Sequence, residues 1–415
     1  MMFNMPQPSL SVATAPATVT HAAPKPPRIL SVDILRGLTI ALMILVNTAG
    51  DSRVSYAQLE HAKWNGFTLT DLVFPTFLFL VGCSIVFSLQ SRLDRGDSRA
   101  AMIKRIFTRG LSIFALDLFI SAVPHFHYTH LRLYGVLTRI AIVYVVVSLI
   151  FIATRKIQTL LGITAVCLIA YWILMRYVPT PGLGHPVYDF PILDPDKNLG
   201  AWMDRGIMGF IHRTINTGHL YEKTRDPEGL LSTIPSLGTA LLGCCTALWM
   251  RRPGLSLVKN RLALLGFGVL SIIAGVLWNP YLPINKKVWT SSYVLLCAGI
   301  AMICLSLLSM VLDRADWAER PAAVRALIWP WQVFGSNAIF AYAVSEILPG
   351  LFTLFHFSNP DNPSHPMGLW TWGYLHTVAR NGSTANTSLI YSLCFVALCF
   401  FFTWLLWRKQ IFLKL

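Results

Sequence analysis

The chain has 415 residues, 54% of them hydrophobic and only 13% charged, about half the charged fraction of an ordinary soluble domain. That deficit points to lipid as the solvent and excludes a soluble protein with one oversized core. A net charge of +15 does not indicate nucleic acid, because the basic residues sit in short clusters between long apolar runs, which is how membrane topology is encoded.

Residues 1–27 are rich in Ala, Thr, Pro and Ser and predict a disordered cytoplasmic tail. Residues 28–415 form the transmembrane domain. Its first apolar segment begins near Ile34, and no small-residue cleavage site follows, so the segment reads as a retained helix rather than a signal peptide. An all-α, polytopic membrane bundle of about ten transmembrane helices is predicted, on the length an apolar run needs to cross a bilayer. The helices fall at 30–49, 69–90, 110–123, 133–153, 157–178, 233–250, 262–280, 290–312, 327–350 and 388–407. The short third one extends back into the basic stretch before it.

Arg92 to Arg109, Arg155 with Lys156, Arg251 to Arg261 and Arg314 to Arg325 fill alternate connections, and both chain ends are basic. That alternation places both termini in the cytoplasm. The opposite face collects His61, Trp64 and Asn65, then His125, His127 and His130, then Asp226-Pro227-Glu228-Gly229, then Asn285, Lys286 and Trp289. Such a polar, aromatic set suits a hydrophilic molecule. The eight cysteines all lie in apolar runs without a C-x-x-C pair and read as packing residues. The histidine triplet has no neighbouring carboxylate or cysteine, so no metal is expected.

Several residues carry candidate chemistry. Asp33 and Arg36 share a face of the first helix, either as an anchoring ion pair or with Arg36 turned to an anionic ligand. Asn47 ends that helix, where an Asn is a cap or an interhelical hydrogen bond. His61 can take a proton or attack as a nucleophile near neutral pH. Asp71 can orient that imidazole or cap the next helix. Pro75 bends that helix unless it falls in the first turn. Arg139 lies inside an apolar helix and needs a partner, either Asp117 or a bound anion. Ser232 and Thr233 can cap a helix. Gly335, Ser336 and Asn337 suit close packing or a ligand wall.

The blocks RGLTIALMILVN, HAKWNGFTLTDLVFPTFLFLVG, GVLTRIAIVY, DPEGLLSTIPSLGTALLG, LPINKKVWTSSYV and FGSNAIFAY, in this order, resemble the heparan-α-glucosaminide N-acetyltransferase family and its bacterial members. The resemblance runs from about Arg28 to the last helix. It implies transfer of an acetyl group from cytosolic acetyl-CoA to a terminal glucosamine, with the family's catalytic histidine matched by His61 and its active-site asparagine by Asn47. The eukaryotic enzyme's large luminal domain has only a short tail in its place here, and the stretch from Asn47 to His61 is longer, which leaves the acceptor open.

The expected function is thus a multi-pass acetyltransferase of the cell (inner) membrane, with acetyl-CoA as cosubstrate and an extracytoplasmic amino sugar or glycan as acceptor. His61 acts as base or acetyl carrier, with Asn47 and Asp71 beside it. Arg36, Arg105, Arg139, Ser336 and Asn337 are candidates for CoA. Trp64, Asn65, Asp226, Glu228, Asn285, Lys286 and Trp289 are candidates for the acceptor. The alternative is a transporter for N-acetylglucosamine or a related amino sugar. Whether the chain forms a homodimer is left open.

Overall fold

The computed structural model describes residues 29–314, 319–359 and 365–413; the predicted tail, 1–27, lies outside them. Helices dominate: α1 (Leu30–Asn47), α2 (Val73–Asp94), α3 (Arg99–Ala122), α4 (Val136–Ala153), α5 (Ile157–Tyr177), α6 (Leu199–Ile215), α7 (Thr233–Met250), α8 (Leu257–Trp278), α9 (Ser291–Leu312), α10 (Ala322–Ser336), α11 (Ala338–Phe352), α12 (Leu369–Thr377) and α13 (Ala385–Arg408). A two-residue antiparallel pair, β1 (His356–Phe357) with β2 (Met367–Gly368), is the one sheet among the described residues.

Eight of these helices are long and apolar enough to cross a membrane: α1, α2, α4, α5, α7, α8, α9 and α13. Of the other two predicted spans, α3 does extend back, and that half carries Arg99, Lys104, Arg105 and Arg109. The segment predicted at 327–350 is divided at Asn337 into α10 and α11. The Asn337 side chain receives the Leu413 amide at 3.0 Å and donates to the Ile411 carbonyl at 3.0 Å, so it ties the chain that follows α13 instead of continuing a helix.

Burial separates inner from outer helices. The apolar windows of α2 and α7 are 67% and 78% buried, those of α5, α8 and α13 only 22%, so the latter turn apolar faces outward, as lipid requires. At several crossings the backbones lie closer than side chains allow. A Cβ on Gly82 would lie 1.9 Å from the Ala240 carbonyl oxygen, and one on Gly243 would lie 2.0 Å from that of Phe79. This lets Cys83 Sγ donate to Gly243 O and Cys244 Sγ to Gly82 O, both at 3.2 Å. The α1–α10 crossing repeats the device, with Gly37 against Trp331 O and Gly335 against Asp33 O. Small residues permit such backbone approach where lipid offers no hydrophobic drive to association.

Between α5 and α7 the sequence predicts a long loop, and the structure places α6 in it. Asn198 caps its start by accepting the Ala201 amide at 2.9 Å, and Asn216 ends it in the left-handed region at φ 51°. Short of 18 residues and mixed in polarity, α6 lies among the wet connections.

Candidate active site

Asn47 and His61 lie at one end of the bundle. Asn47 closes α1, and His61 precedes the short 3-10 turn Thr70–Leu72 that leads into α2. That turn packs against α1. His61 Nδ1 is 2.7 Å from Asp71 Oδ1. An ionised carboxylate only accepts, so Nδ1 carries the hydrogen and Nε2 holds the free lone pair. The His61 side chain is 43% exposed and that of Asp71 1%, which gives a reachable base on a buried support. Asp71 Oδ2 meanwhile receives the Ala62 and Thr68 amides, both at 3.0 Å, and the Thr68 hydroxyl at 3.2 Å. The two roles weighed for Asp71, orienting an imidazole and tying down the start of a helix, are therefore filled by its two oxygens at once. Pro75 falls in the first turn of α2, where its missing N–H costs nothing.

Behind Asp71 stands an aromatic wall. The Tyr293 hydroxyl donates to the Asp71 carbonyl. Trp289, fully buried, meets Tyr293 and Phe74 edge-on, with ring centroids 5.5 and 5.0 Å away. The Arg139 guanidinium sits over the Trp289 ring at 5.1 Å. Arg139 does not pair with Asp117, which instead accepts the Thr138 amide at 2.9 Å and the Thr138 hydroxyl at 2.6 Å. Its partners are the Gly229 carbonyl at 2.9 Å and the Ser232 hydroxyl, while Nε and Nη1 have no hydrogen-bond partner. Ser232 thus serves Arg139 and not as a side-chain helix cap. A ring face compensates a desolvated guanidinium by about 2 kcal/mol.

Asp226 and Glu228 converge on Arg132, at 2.7 and 2.6 Å, and Arg132 stacks on Tyr221 at 4.4 Å. Burial pushes the Asp226 carboxyl up, with the Glu228 charge adding to it. Burial acts on Glu228 too, but Lys286, Arg132 and Arg139 outweigh it and hold that carboxyl below its ordinary value. The Lys286 ammonium makes no hydrogen bond or ion pair among the described residues, and burial lowers its affinity for a proton against the pull of Glu228 and Asp71. Asp204 on α6, which accepts the Leu230 amide at 3.1 Å, is pushed up to about 7, chiefly by burial.

Asn285 and Asn65 join two loops. Asn285 Nδ2 donates to Asn65 Oδ1 at 3.2 Å, and the Gly66 amide to the Ile284 carbonyl at 2.8 Å. Trp64 donates its indole N–H to the Leu193 carbonyl at 2.8 Å and lies under Arg225. Arg225 pairs with Asp196 and Glu222, and Glu222 also holds Lys287 at 2.8 Å. Of the acceptor candidates, Trp64 and Asn65 lie on the loop that carries His61 and Lys286 is half-buried, whereas Asn285, Trp289, Asp226 and Glu228 are buried and present no surface to a sugar.

The cofactor candidates are scattered. Arg36 is ion-paired to Asp33 at 2.7 Å, with its Nε unpartnered; Arg105 is exposed on α3; Arg139 is sealed behind Trp289. Ser336 bonds its own helix, to Val333 O at 2.7 Å, and Asn337 holds the chain after α13. An open cleft of about 560 Å³ lined by Arg155, Arg251 and Arg252 lies at the far end of α2, about 33 Å from Asp71 at 1.5 Å per helical residue, too far to belong to the same site.

Two groups absent from the expected set appear here. Arg132 organises the Asp226–Glu228 pair, and Glu346 on α11 accepts from Asn47 Nδ2 at 3.4 Å. Arg132 adjoins the histidine triplet in sequence, but its partners lie 94 and 96 residues away. Glu346 is the single charge in α11, and that is a usable signal.

Residues 28–196 match the family model described as heparan-alpha-glucosaminide N-acetyltransferase, catalytic. Human heparan-alpha-glucosaminide N-acetyltransferase (Homo sapiens) is 29% identical over 384 residues, covering 82% of this chain and 56% of that protein. The mouse (Mus musculus) protein of the same name is 28% identical over 389 residues, covering 81% and 56%. The chain therefore spans a little over half the length of the curated relatives it matches. These findings support one family, that of the heparan-alpha-glucosaminide N-acetyltransferases.

Proposed function

We propose that this relative of the heparan-alpha-glucosaminide N-acetyltransferases is itself a transmembrane N-acetyltransferase, with both termini in the cytoplasm. It moves an acetyl group from acetyl-CoA on the cytoplasmic side to the amine of an amino sugar or glycan on the other side. The observation that carries this reading is His61, held through Nδ1 by a buried carboxylate and left with an accessible Nε2 at the end of the bundle opposite the basic loops.

CoA is a polyanion and does not cross a lipid core. Its phosphates stay at the basic end, where Arg36 offers an unpartnered Nε and a fork suited to phosphate. From Arg36 to Asn47 is 11 residues of one helix, about 16 Å, a length the pantetheine arm covers. The thioester then lies near Asn47. In direct transfer the amine attacks the carbonyl carbon, a C–N bond forms and the C–S bond breaks. Nε2 of His61 takes the amine proton, and the thiolate leaves as CoA. Asn47 Nδ2 is placed to donate to the oxyanion. An acetylated Nε2 is the two-step version of the same geometry. Asp71 keeps the tautomer in either version, and Trp64, Asn65 and Lys286 receive the sugar.

The test is transfer of radiolabelled acetyl from acetyl-CoA to glucosamine by protein in proteoliposomes. His61→Ala is expected to abolish transfer while leaving CoA binding unchanged. Full activity in His61→Ala, or no CoA binding by the wild type, would overturn the reading.

A further inference from the structure

We infer that Glu346 and the end of α1 form an ammonium subsite, which recognises the acceptor by the positive charge of its amine; the inference rests on the acetyltransferase reading above. A carboxylate in an otherwise apolar helix is costly and marks function more often than packing. Glu346 sits in such a helix. Its one hydrogen bond among the described residues is the 3.4 Å contact from Asn47 Nδ2 to Oε1, so Oε2 has none. It has no ion-pair partner among the described residues either. Arg132 lies near enough to act on it electrostatically, but that guanidinium is held by Asp226 and Glu228. Asp117, on α3, is occupied at Thr138, and Tyr342 lies one turn earlier on α11.

A second observation points the same way. α1 ends at Asn47 with no basic residue in its last turn, so the negative end of its dipole is uncompensated where Asn47 is exposed. The Thr48 hydroxyl donates to the Ile44 carbonyl, but a free carboxylate oxygen beside a helix C-terminus with no basic residue in its last turn is a place for a cation with several donors, and a protonated sugar amine is one. Held there, the amine lies next to Asn47, where the acyl carbon is expected. Selection by charge would then favour amino sugars over their hydroxyl counterparts.

The experiment compares wild type and Glu346→Gln in proteoliposomes with two acceptors: glucosamine, and a simple alkoxyamine, which is nucleophilic but uncharged at neutral pH. The amide keeps an oxygen for Asn47 and loses only the charge. KM for glucosamine should rise about tenfold, the worth of one bond to a charged group, with KM for the alkoxyamine unchanged. Equal changes for both acceptors, or none, would overturn the subsite while leaving acetyl transfer intact. A wild type that acetylates neither acceptor would overturn the transferase reading and the subsite with it. Independently of any variant, glucose should compete with glucosamine at least about tenfold more weakly than glucosamine binds. Comparable competition by glucose would also refute the subsite.

Discussion

Replacing Asp71 by Asn would separate the two tasks its oxygens perform. The carboxylate accepts from His61 on Oδ1 and from Ala62, Thr68 N and Thr68 Oγ1 on Oδ2. An amide keeps one acceptor oxygen. Facing it to the two backbone amides preserves the turn into α2 and points the NH₂ at His61. Nδ1 must then accept, the hydrogen moves to Nε2, and the reactive lone pair is lost. The expected loss in kcat is about 10²- to 10⁴-fold, the range for misplacing a general base. The broken charge-assisted bond would cost about 1.5–3 kcal/mol of stability, since the backbone pairs survive. Initial rates of acetyl transfer against glucosamine and acetyl-CoA, with thermal melting in detergent, would measure both. A folded Asp71→Asn with kcat within about threefold of wild type would refute the orienting role and leave Asp71 a structural tie.

Arg132→Ala leaves Asp226 and Glu228, 0% and 5% exposed, without their cation, and should destabilise the protein by about 3–5 kcal/mol; a melting temperature unchanged from wild type would contradict it. Asp204 sets a pH dependence. Its carboxyl is raised from 3.8 to about 7, so its contribution to stability is complete below 3.8 and is lost as the pH rises to about 7. The melting temperature of wild type relative to Asp204→Asn should therefore fall between pH 5 and pH 8, and a constant difference would show that Asp204 does not titrate in that window.

The sequence makes the spans legible because lipid demands long apolar runs, and eight of the ten predicted segments meet that demand as single helices. It hides α6 and α12, whose lengths of 17 and 9 residues carry too little apolar sequence to register, although Asn198 and Asn216 mark the ends of α6. It also hides the break at Asn337, because the cause lies 74 and 76 residues away in the chain. The site follows the same rule. His61 and Asp71 are ten residues apart and can be read together, but whether Asp71 orients or caps cannot be read from spacing when it does both. For Arg139 the sequence offers Asp117 or a bound anion as partner; the structure gives it a carbonyl and a hydroxyl from a distant loop, which spacing along the chain does not reveal.

Two of the glycine-mediated crossings join helices that lead to the candidate site. α2 follows the turn that holds Asp71, α7 follows the acidic loop, and reciprocal Cys–Gly contacts join the two into one plank. α1 and α10, seated backbone to backbone, make a second plank whose end bears Asn47. The seam between the planks runs where α1 packs directly on α2. Asn47 at the end of α1 and Asp71, which holds His61, lie on opposite sides of that seam, so sliding along it changes the spacing between Asn47 and His61.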